Sequence, residues 1–283
     1  MSFFRRLLDS LGVASYPEAP RIPRPPGFSF GVACHVNGDH FAAIKAAGFD
    51  TVTLDYVPEG YEGGFYERLF GDATDAGLKV YITDLKKEED VFMLLKQHGR
   101  HITWLNPVNE PDLARFYGGS LESLVHRIHR TALFKRSVAP HVLLVAPSFS
   151  ALGSSARPGW RDKPALIRNL TRLGLRRCVD VIGIHAYKKT PDKVAAYVSD
   201  LIGVYRRNGW TQKAFVSEFG WRSAEPSVGQ EVQATYTANT LSQLARNSDV
   251  VGVAVYELLD GEGGSYGVYG KKAWERIRKG LRP

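Results

Sequence analysis

Two carboxylates stand where this chain could break a covalent bond. Glu110 lies in Asn106-Pro107-Val108-Asn109-Glu110-Pro111-Asp112-Leu113, directly after the apolar run Ile102-Thr103-Trp104-Leu105. Glu218 lies in Ala214-Phe215-Val216-Ser217-Glu218-Phe219-Gly220-Trp221, at the end of a second apolar run. Taken singly, each could be an acid that starts a helix and is settled by its dipole. Taken together, two acids at equivalent strand ends can divide a task. One stays protonated and delivers its proton to a leaving oxygen. The other stays ionised and attacks, or supports, the carbon that oxygen leaves. That division is what cleavage of a glycosidic bond needs. A carboxyl separation of about 5–5.5 Å predicts retention through a covalent intermediate, and about 6.5–9.5 Å predicts inversion.

The elements that must position these acids repeat along the chain. Short β-rich runs bounded by Gly, Pro and Asp predict strands near 28–35, 50–56, 78–84, 102–106, 141–146, 179–185, 213–218 and 250–256. Between them the spacing predicts helices near 38–47, 64–76, 87–98, 120–137, 162–173, 191–208, 228–246 and 271–280. Ser120, with Ser123 three places on, and Thr190-Pro191-Asp192 read as helix starts. Eight strands alternating with eight helices predict an α/β fold, a single-domain (β/α)8 TIM barrel over residues 28–283. An open doubly wound sheet is the runner-up. The count of eight disfavours it, and so does the absence of a Gly-x-Gly-x-x-Gly turn after the first strand. Residues 1–27 form a separate unit in this reading. Phe4, Leu7, Leu8 and Leu11 make a helical stripe, and the proline-rich run that follows makes a stiff strap.

Strand alternation then sorts side chains into two faces. The set that would face the lumen turns polar at the strands' carboxyl ends: His35, Asp55, His185, Tyr187 and Tyr256. Barrel enzymes build their sites at that end. Asp84, and the loop aromatics Phe116, Tyr117, Trp160, Trp221, Tyr266 and Tyr269, are further candidates for touching a sugar.

Asn109-Glu110-Pro111 after a fourth strand, with Ser217-Glu218-Phe219-Gly220-Trp221 ending a seventh, resembles the clan A retaining glycoside hydrolases. His185-Ala186-Tyr187 is similar to the family 5 pattern, and Tyr256-Glu257-Leu258-Leu259-Asp260 looks more like family 39. The resemblance implies a hydrolase that cleaves a β-linked oligo- or polysaccharide by double displacement. No large inserted domain or long lid walls the mouth, so an open, endo-acting cleft is expected. The resemblance implies Glu110 as acid/base, Glu218 as nucleophile and Asn109 on the substrate 2-hydroxyl. It also implies Tyr187 on the nucleophile, and His185 lining the subsite where the bond breaks. Tyr256 stands where the clan usually has a tryptophan platform, and Trp221, His35 and Asp55 complete the expected substrate contacts. The clan often has an arginine at the end of strand two; here that place holds Thr53, Asp55 and Tyr56. A carbohydrate-binding barrel without activity is the alternative.

Composition fits this reading. Lys and Arg outnumber Asp and Glu by 37 to 29, a net charge of +8, spread over several helices. With no zinc-finger or RNA-binding signature, solvated faces explain that charge and no nucleic acid is expected. Cys34 and Cys178 are too few for a disulfide framework. His126 and His129 lack a third ligand, and the acids Asp260 and Glu262 oppose a phosphate in the loop after strand eight. We therefore expect no metal, no cofactor, a monomer and a glycan as the partner. No run is long and apolar enough for a transmembrane segment. The first residues lack a signal peptide's continuous apolar core, so the cytoplasm is the default location, with export by another route left open.

Overall fold

A computed structural model describes residues 21–281 apart from 62, 84, 151–155, 262 and 263. The expected helix over residues 1–16 and the candidate Asp84 lie outside the described residues. The eight strands are β1 (Ser29–His35), β2 (Thr51–Asp55), β3 (Lys79–Thr83), β4 (Ile102–Leu105), β5 (Leu143–Leu144), β6 (Ile182–His185), β7 (Ala214–Phe219) and β8 (Val250–Val255). The helices between and after them are α1 (Phe41–Ala46), α2 (Phe65–Asp75), α3 (Glu88–His98), α4 (Leu121–Val138), α5 (Lys163–Arg172), α6 (Pro191–Arg207), α7 (Gly229–Ala245) and α8 (Lys272–Leu281).

All paired strands are parallel, in the order β5-β4-β3-β2-β1-β8-β7-β6. A parallel bridge between Val145 and Val181 joins the two ends, so the sheet closes as a (β/α)8 barrel. Closure is tight there. A Cβ at Gly183 would run into the carbonyl of Ala146 and the hydroxyl of Ser148, so glycine is what lets β6 approach.

Helix starts follow their signals. Ser120 Oγ accepts from Ser123 N–H at 3.2 Å, Asp162 Oδ1 from Ala165 N–H at 3.1 Å, and Thr190 Oγ1 from Lys193 N–H at 3.4 Å, with Pro191 in the first turn. The strap residue Ile22 is buried, and its N–H donates to Gly280 O of α8 at 3.0 Å. Cys34 and Cys178 are both free thiols.

Two apolar clusters form, one on each side of the sheet. The larger packs the strands against the helices and includes Val32, Val52, Ile184, Val216 and Val253. The smaller fills the lumen with Tyr81, Trp104, Val145, Val181, Phe215 and Ala254. The Phe215 ring lies 5.2 Å from both Tyr81 and Trp104, so the lower lumen is a solid aromatic plug. Below the plug Lys79 donates to Ser29 at 3.0 Å, and above it the polar strand ends open at the mouth. Removing Phe215's ring should cost about 3–5 kcal/mol, as for other large-to-small core changes.

Candidate active site

The two acids reach the mouth through local departures from regular strand geometry. In β7 the register against β8 shifts between Val216 and Phe219. Ala214 and Val216 pack on the helix side and Phe215 packs in the lumen. Strict alternation would send Glu218 outward with Val216; the irregularity brings Ser217 and Glu218 inward together. Ser217 Oγ lies 2.8 Å from Ser148 Oγ. Glu110 follows β4 by a loop and adopts φ 36°, a left-handed conformation that side chains rarely take. Its N–H donates to Ser148 O at 3.0 Å, and its carbonyl accepts from Leu113 N–H at 2.9 Å.

A clamp from the segment after β5 fixes that turn. Asp112, fully buried, accepts from Ser150 N–H at 2.9 Å and from Lys163 Nζ at 2.7 Å. Arg157 donates to the carbonyls of Pro111 at 3.0 Å and Gly119 at 2.9 Å, and its guanidinium lies 4.1 Å over the Trp160 ring. These contacts over-determine a backbone conformation that would otherwise cost about 1–3 kcal/mol.

His185 lies between the two carboxylates. Its Nδ1 is 3.0 Å from Glu110 Oε1 and its Nε2 is 3.4 Å from Glu218 Oε1. One ligand atom from each of the three residues falls within 4.8 Å of the others, so the group could bracket a cation. Both imidazole nitrogens already face a carboxylate, and the arrangement reads as an ion-pair triad. Burial alone would push the imidazole down, but Glu218 and Glu110 outweigh it and hold it above its ordinary value. Tyr187 donates its hydroxyl to Glu218 Oε2 at 2.8 Å. Burial first, then the Glu218 charge, pushes that phenol well above its ordinary value, so it remains a donor. Burial also raises Glu218. His185 and Tyr187 oppose that rise, and Glu110 and Asp55 add to it.

Asn109, Glu110, Tyr187, Glu218, Tyr256, His35 and Asp55 line a single cleft of about 830 Å³ across the barrel mouth. Two expected contacts fall elsewhere. His185 is 1% exposed and does not line the cleft; it lies against both carboxylates instead. Trp221 is buried, donates Nε1–H to Lys188 O at 2.9 Å and packs on Tyr236. Its large ring is spent on anchoring the loops after β6 and β7. Of the other loop aromatics, Phe116 and Tyr266 line the cleft. Trp160 packs under Arg157, and Tyr269 stacks on His40. Tyr187, Tyr256 and Tyr266 meet edge to face at 5.6–6.1 Å. A Cβ at Gly220 would strike the carbonyl of Tyr256, so glycine there lets the strand ends close behind these rings. His126 and His129 are both exposed on α4.

Glu257 is the residue that period-two reasoning did not single out. It is 1% exposed and lies 2.7 Å from His35 Nε2, while His35 Nδ1 lies 2.8 Å from Asp55 Oδ2. A signal existed. Glu257 directly follows the lumen-facing Tyr256, in a run where one strand end already carries an acid.

A (β/α)8 barrel with facing strand-end carboxylates is the frame of the clan A glycoside hydrolases. The chain belongs to the glycosyl hydrolase catalytic core family, with residues 82–267 matched. No curated protein matches it. Several solved structures share the fold. A family 39 glycoside hydrolase from the gut symbiont Bacteroides cellulosilyticus WH2 is 17% identical with a TM-score of 0.65, covering 92% of this chain and 65% of that one. A family 128 subgroup I endo-β-1,3-glucanase from Amycolatopsis mediterranei, in complex with laminarihexaose, is 17% identical with a TM-score of 0.64, covering 89% and 98%. A subgroup II endo-β-1,3-glucanase from Pseudomonas viridiflava is 15% identical with a TM-score of 0.66, covering 90% and 98%.

Proposed function

We propose that this protein is a retaining, endo-acting glycoside hydrolase of a β-linked glucan, with Glu218 as nucleophile and Glu110 as acid/base. The spacing of the two acids supports this most directly. A carboxylate oxygen of Glu110 and one of Glu218 lie within 4.8 Å of each other. That is nearer the about 5–5.5 Å of retaining enzymes than the about 6.5–9.5 Å of inverting ones.

In the first step Glu110 gives its proton to the glycosidic oxygen while Glu218 attacks the anomeric carbon. The carbon–oxygen bond breaks and a glycosyl ester forms on Glu218. In the second step Glu110 takes a proton from water, which attacks the same carbon and releases Glu218. Glu218 must be ionised to attack. The hydrogen bond from Tyr187 and the charge of His185 favour that form against burial. Two carboxylates this close also disfavour double ionisation of the pair. The choice of a β-glucan and of endo action rests on the fold neighbours that act on β-1,3-glucan.

The test is reducing-sugar release from β-glucans, β-galactans, β-mannans and xylans, with wild type beside Glu218→Ala. Release by the wild type that the variant lacks, with product of unchanged anomeric configuration by proton NMR, is the expected result. Inverted product would overturn the double displacement. Release that survives the substitution would overturn Glu218 as nucleophile.

A further inference from the structure

The polar groups of the cleft are unevenly divided. Toward β4 its wall holds Leu113, Phe116 and Arg115, whose guanidinium lies 4.6 Å from the Phe116 ring. Toward β1, β2 and β8 the wall holds His35, Thr53 and Asp55. His35 has φ 54°, and the β1–β2 register shifts between Ala33 and His35, so the imidazole leans onto β2. There it is spent on two carboxylates, Asp55 and Glu257. Hydrogen bonds that it donates to Asp55 and then Glu257 raise its pKa to about 10, so it is cationic at neutral pH. One positive charge against two negative ones leaves a surplus of one negative charge.

That surplus faces the cleft through Asp55. Glu257 is closed off, since its second oxygen accepts from Gly261 N–H at 3.2 Å. Asp55 places only Oδ2 on His35, and its side chain is 23% exposed. Two residues earlier on the same face of β2, the Thr53 hydroxyl is buried and has no partner among the described residues. A charged acceptor pinned by a cation, beside an unused hydroxyl, is a site built to receive donors.

We propose that this side of the cleft is a subsite for an uncharged hexosyl residue of the β-glycan, with Asp55 accepting hydrogen bonds from its hydroxyls, His35 and Glu257 holding Asp55 in place, and a uronosyl residue turned away. The inference rests on the glycosidase reading for its choice of ligand. A sugar hydroxyl donates to a carboxylate at full charge-assisted strength. A carboxylate at C6 of the same sugar cannot, and it meets like charge in a partly desolvated groove. Asp55 and His35 act here as specificity-determining residues and take no part in the bond-breaking step.

The probes are soluble β-1,3-glucan and β-1,4-galactan oligosaccharides, each neutral and with C6 oxidised to the carboxylate. Full-length wild type, Asp55→Asn and His35→Gln are assayed for kcat and KM. The same substitutions are combined with Glu218→Gln and titrated calorimetrically, so that binding is read without hydrolysis. The wild type should favour the neutral sugar by at least about a hundredfold. Asp55→Asn should lose about ten- to a hundredfold on the neutral sugar, mostly in KM, and should discriminate less than about tenfold. His35→Gln should move the same way. Equal handling of both sugars by the wild type, or full discrimination retained by Asp55→Asn and His35→Gln, would overturn the subsite. Neutral-selective binding without any hydrolysis would uphold the subsite and sink the glycosidase. Hydrolysis with discrimination unmoved by the substitutions would do the reverse. Neither binding nor hydrolysis would overturn both.

Discussion

Glu110 and Glu218 arrive at one point by opposite means. Glu218 is part of a strand, hydrogen-bonded within the sheet, and is turned inward by a register shift beside Val216. Glu110 lies beyond its strand, in a left-handed backbone conformation imposed by contacts from Ser148, Asp112 and Arg157. The hydrogen-bond partners differ too. Tyr187 donates to Glu218 while Glu110 faces His185 at 3.0 Å, and His185 spans to Glu218 at a looser 3.4 Å. In the proposed reaction Glu218 must carry a covalent sugar without moving, which suits a sheet. Glu110 must give and take a proton in successive steps, which suits a turn whose rigidity is borrowed from a neighbouring loop.

The sharpest break between the two acids is chemical. Glu218→Gln should lower kcat by roughly 10⁴-fold or more on every substrate, as loss of a nucleophile does elsewhere. Glu110→Ala should cost about 10²–10⁴-fold on natural glycans but far less on aryl glycosides whose leaving group needs no proton. Added azide should then restore turnover of Glu110→Ala by entering where water is no longer deprotonated, giving a glycosyl azide of retained configuration. Equal losses for Glu110→Ala on both kinds of substrate would show that it is not the acid.

The next effect isolates Glu218's own partner. Tyr187→Phe removes one hydrogen bond to a charged group, a loss of about 1.5–3 kcal/mol or ten- to a hundredfold in kcat/KM. That hydrogen bond lowers the Glu218 pKa, so its loss raises it, and the acid limb of the pH–rate profile should move to higher pH. A uniform drop with an unmoved acid limb would mean that the phenol serves only packing.

Much of this was legible in the residues. Apolar runs place all eight strands and eight helices within a few residues of where they form, and Asn109-Glu110-Pro111 and Ser217-Glu218 mark the two acids. What alternation could not supply were its own violations. Glu218 shares a parity with Val216, which faces the helices, and only a local irregularity makes it a lumen residue. Glu257 follows Tyr256 immediately, so period two assigns it outward although it reaches His35. Trp221 is an expected substrate contact because its type suits stacking on a sugar. Its burial against Tyr236 and its hydrogen bond to Lys188 O depend on loops distant in sequence, which spacing does not encode.

A smaller effect tests the backbone difference. Left-handed φ costs a side-chain-bearing residue about 1–2 kcal/mol, which glycine avoids while losing about 0.5–1 kcal/mol of chain entropy. Glu110→Gly should therefore change stability by less than about 1 kcal/mol in urea unfolding. Glu218→Gly, at a strand position without positive φ, has no such strain to relieve and should destabilise by more. Equal destabilisation by the two would mean that the turn at Glu110 carries no strain.

The last effect follows from the titration of Glu218 and carries a definite sign. Burial raises its folded pKa above the ordinary 4.5, despite His185 and Tyr187. Well below that value the group is protonated in both folded and unfolded chains and contributes nothing. As pH rises past 4.5 the unfolded chain ionises first, so stability falls until the folded carboxyl has also lost its proton, and then levels. Glu218→Gln removes this penalty and should be the more stable protein at neutral pH, by about 0.5–2 kcal/mol or a few degrees in Tm. The gap should open from about pH 4.5 upward and be small at pH 4, as measured by calorimetric unfolding of both proteins across that range. A gap independent of pH would assign the gain to packing. A variant less stable than wild type at pH 7 would mean that the Glu218 charge, held by His185 and Tyr187, is a net support of the folded barrel.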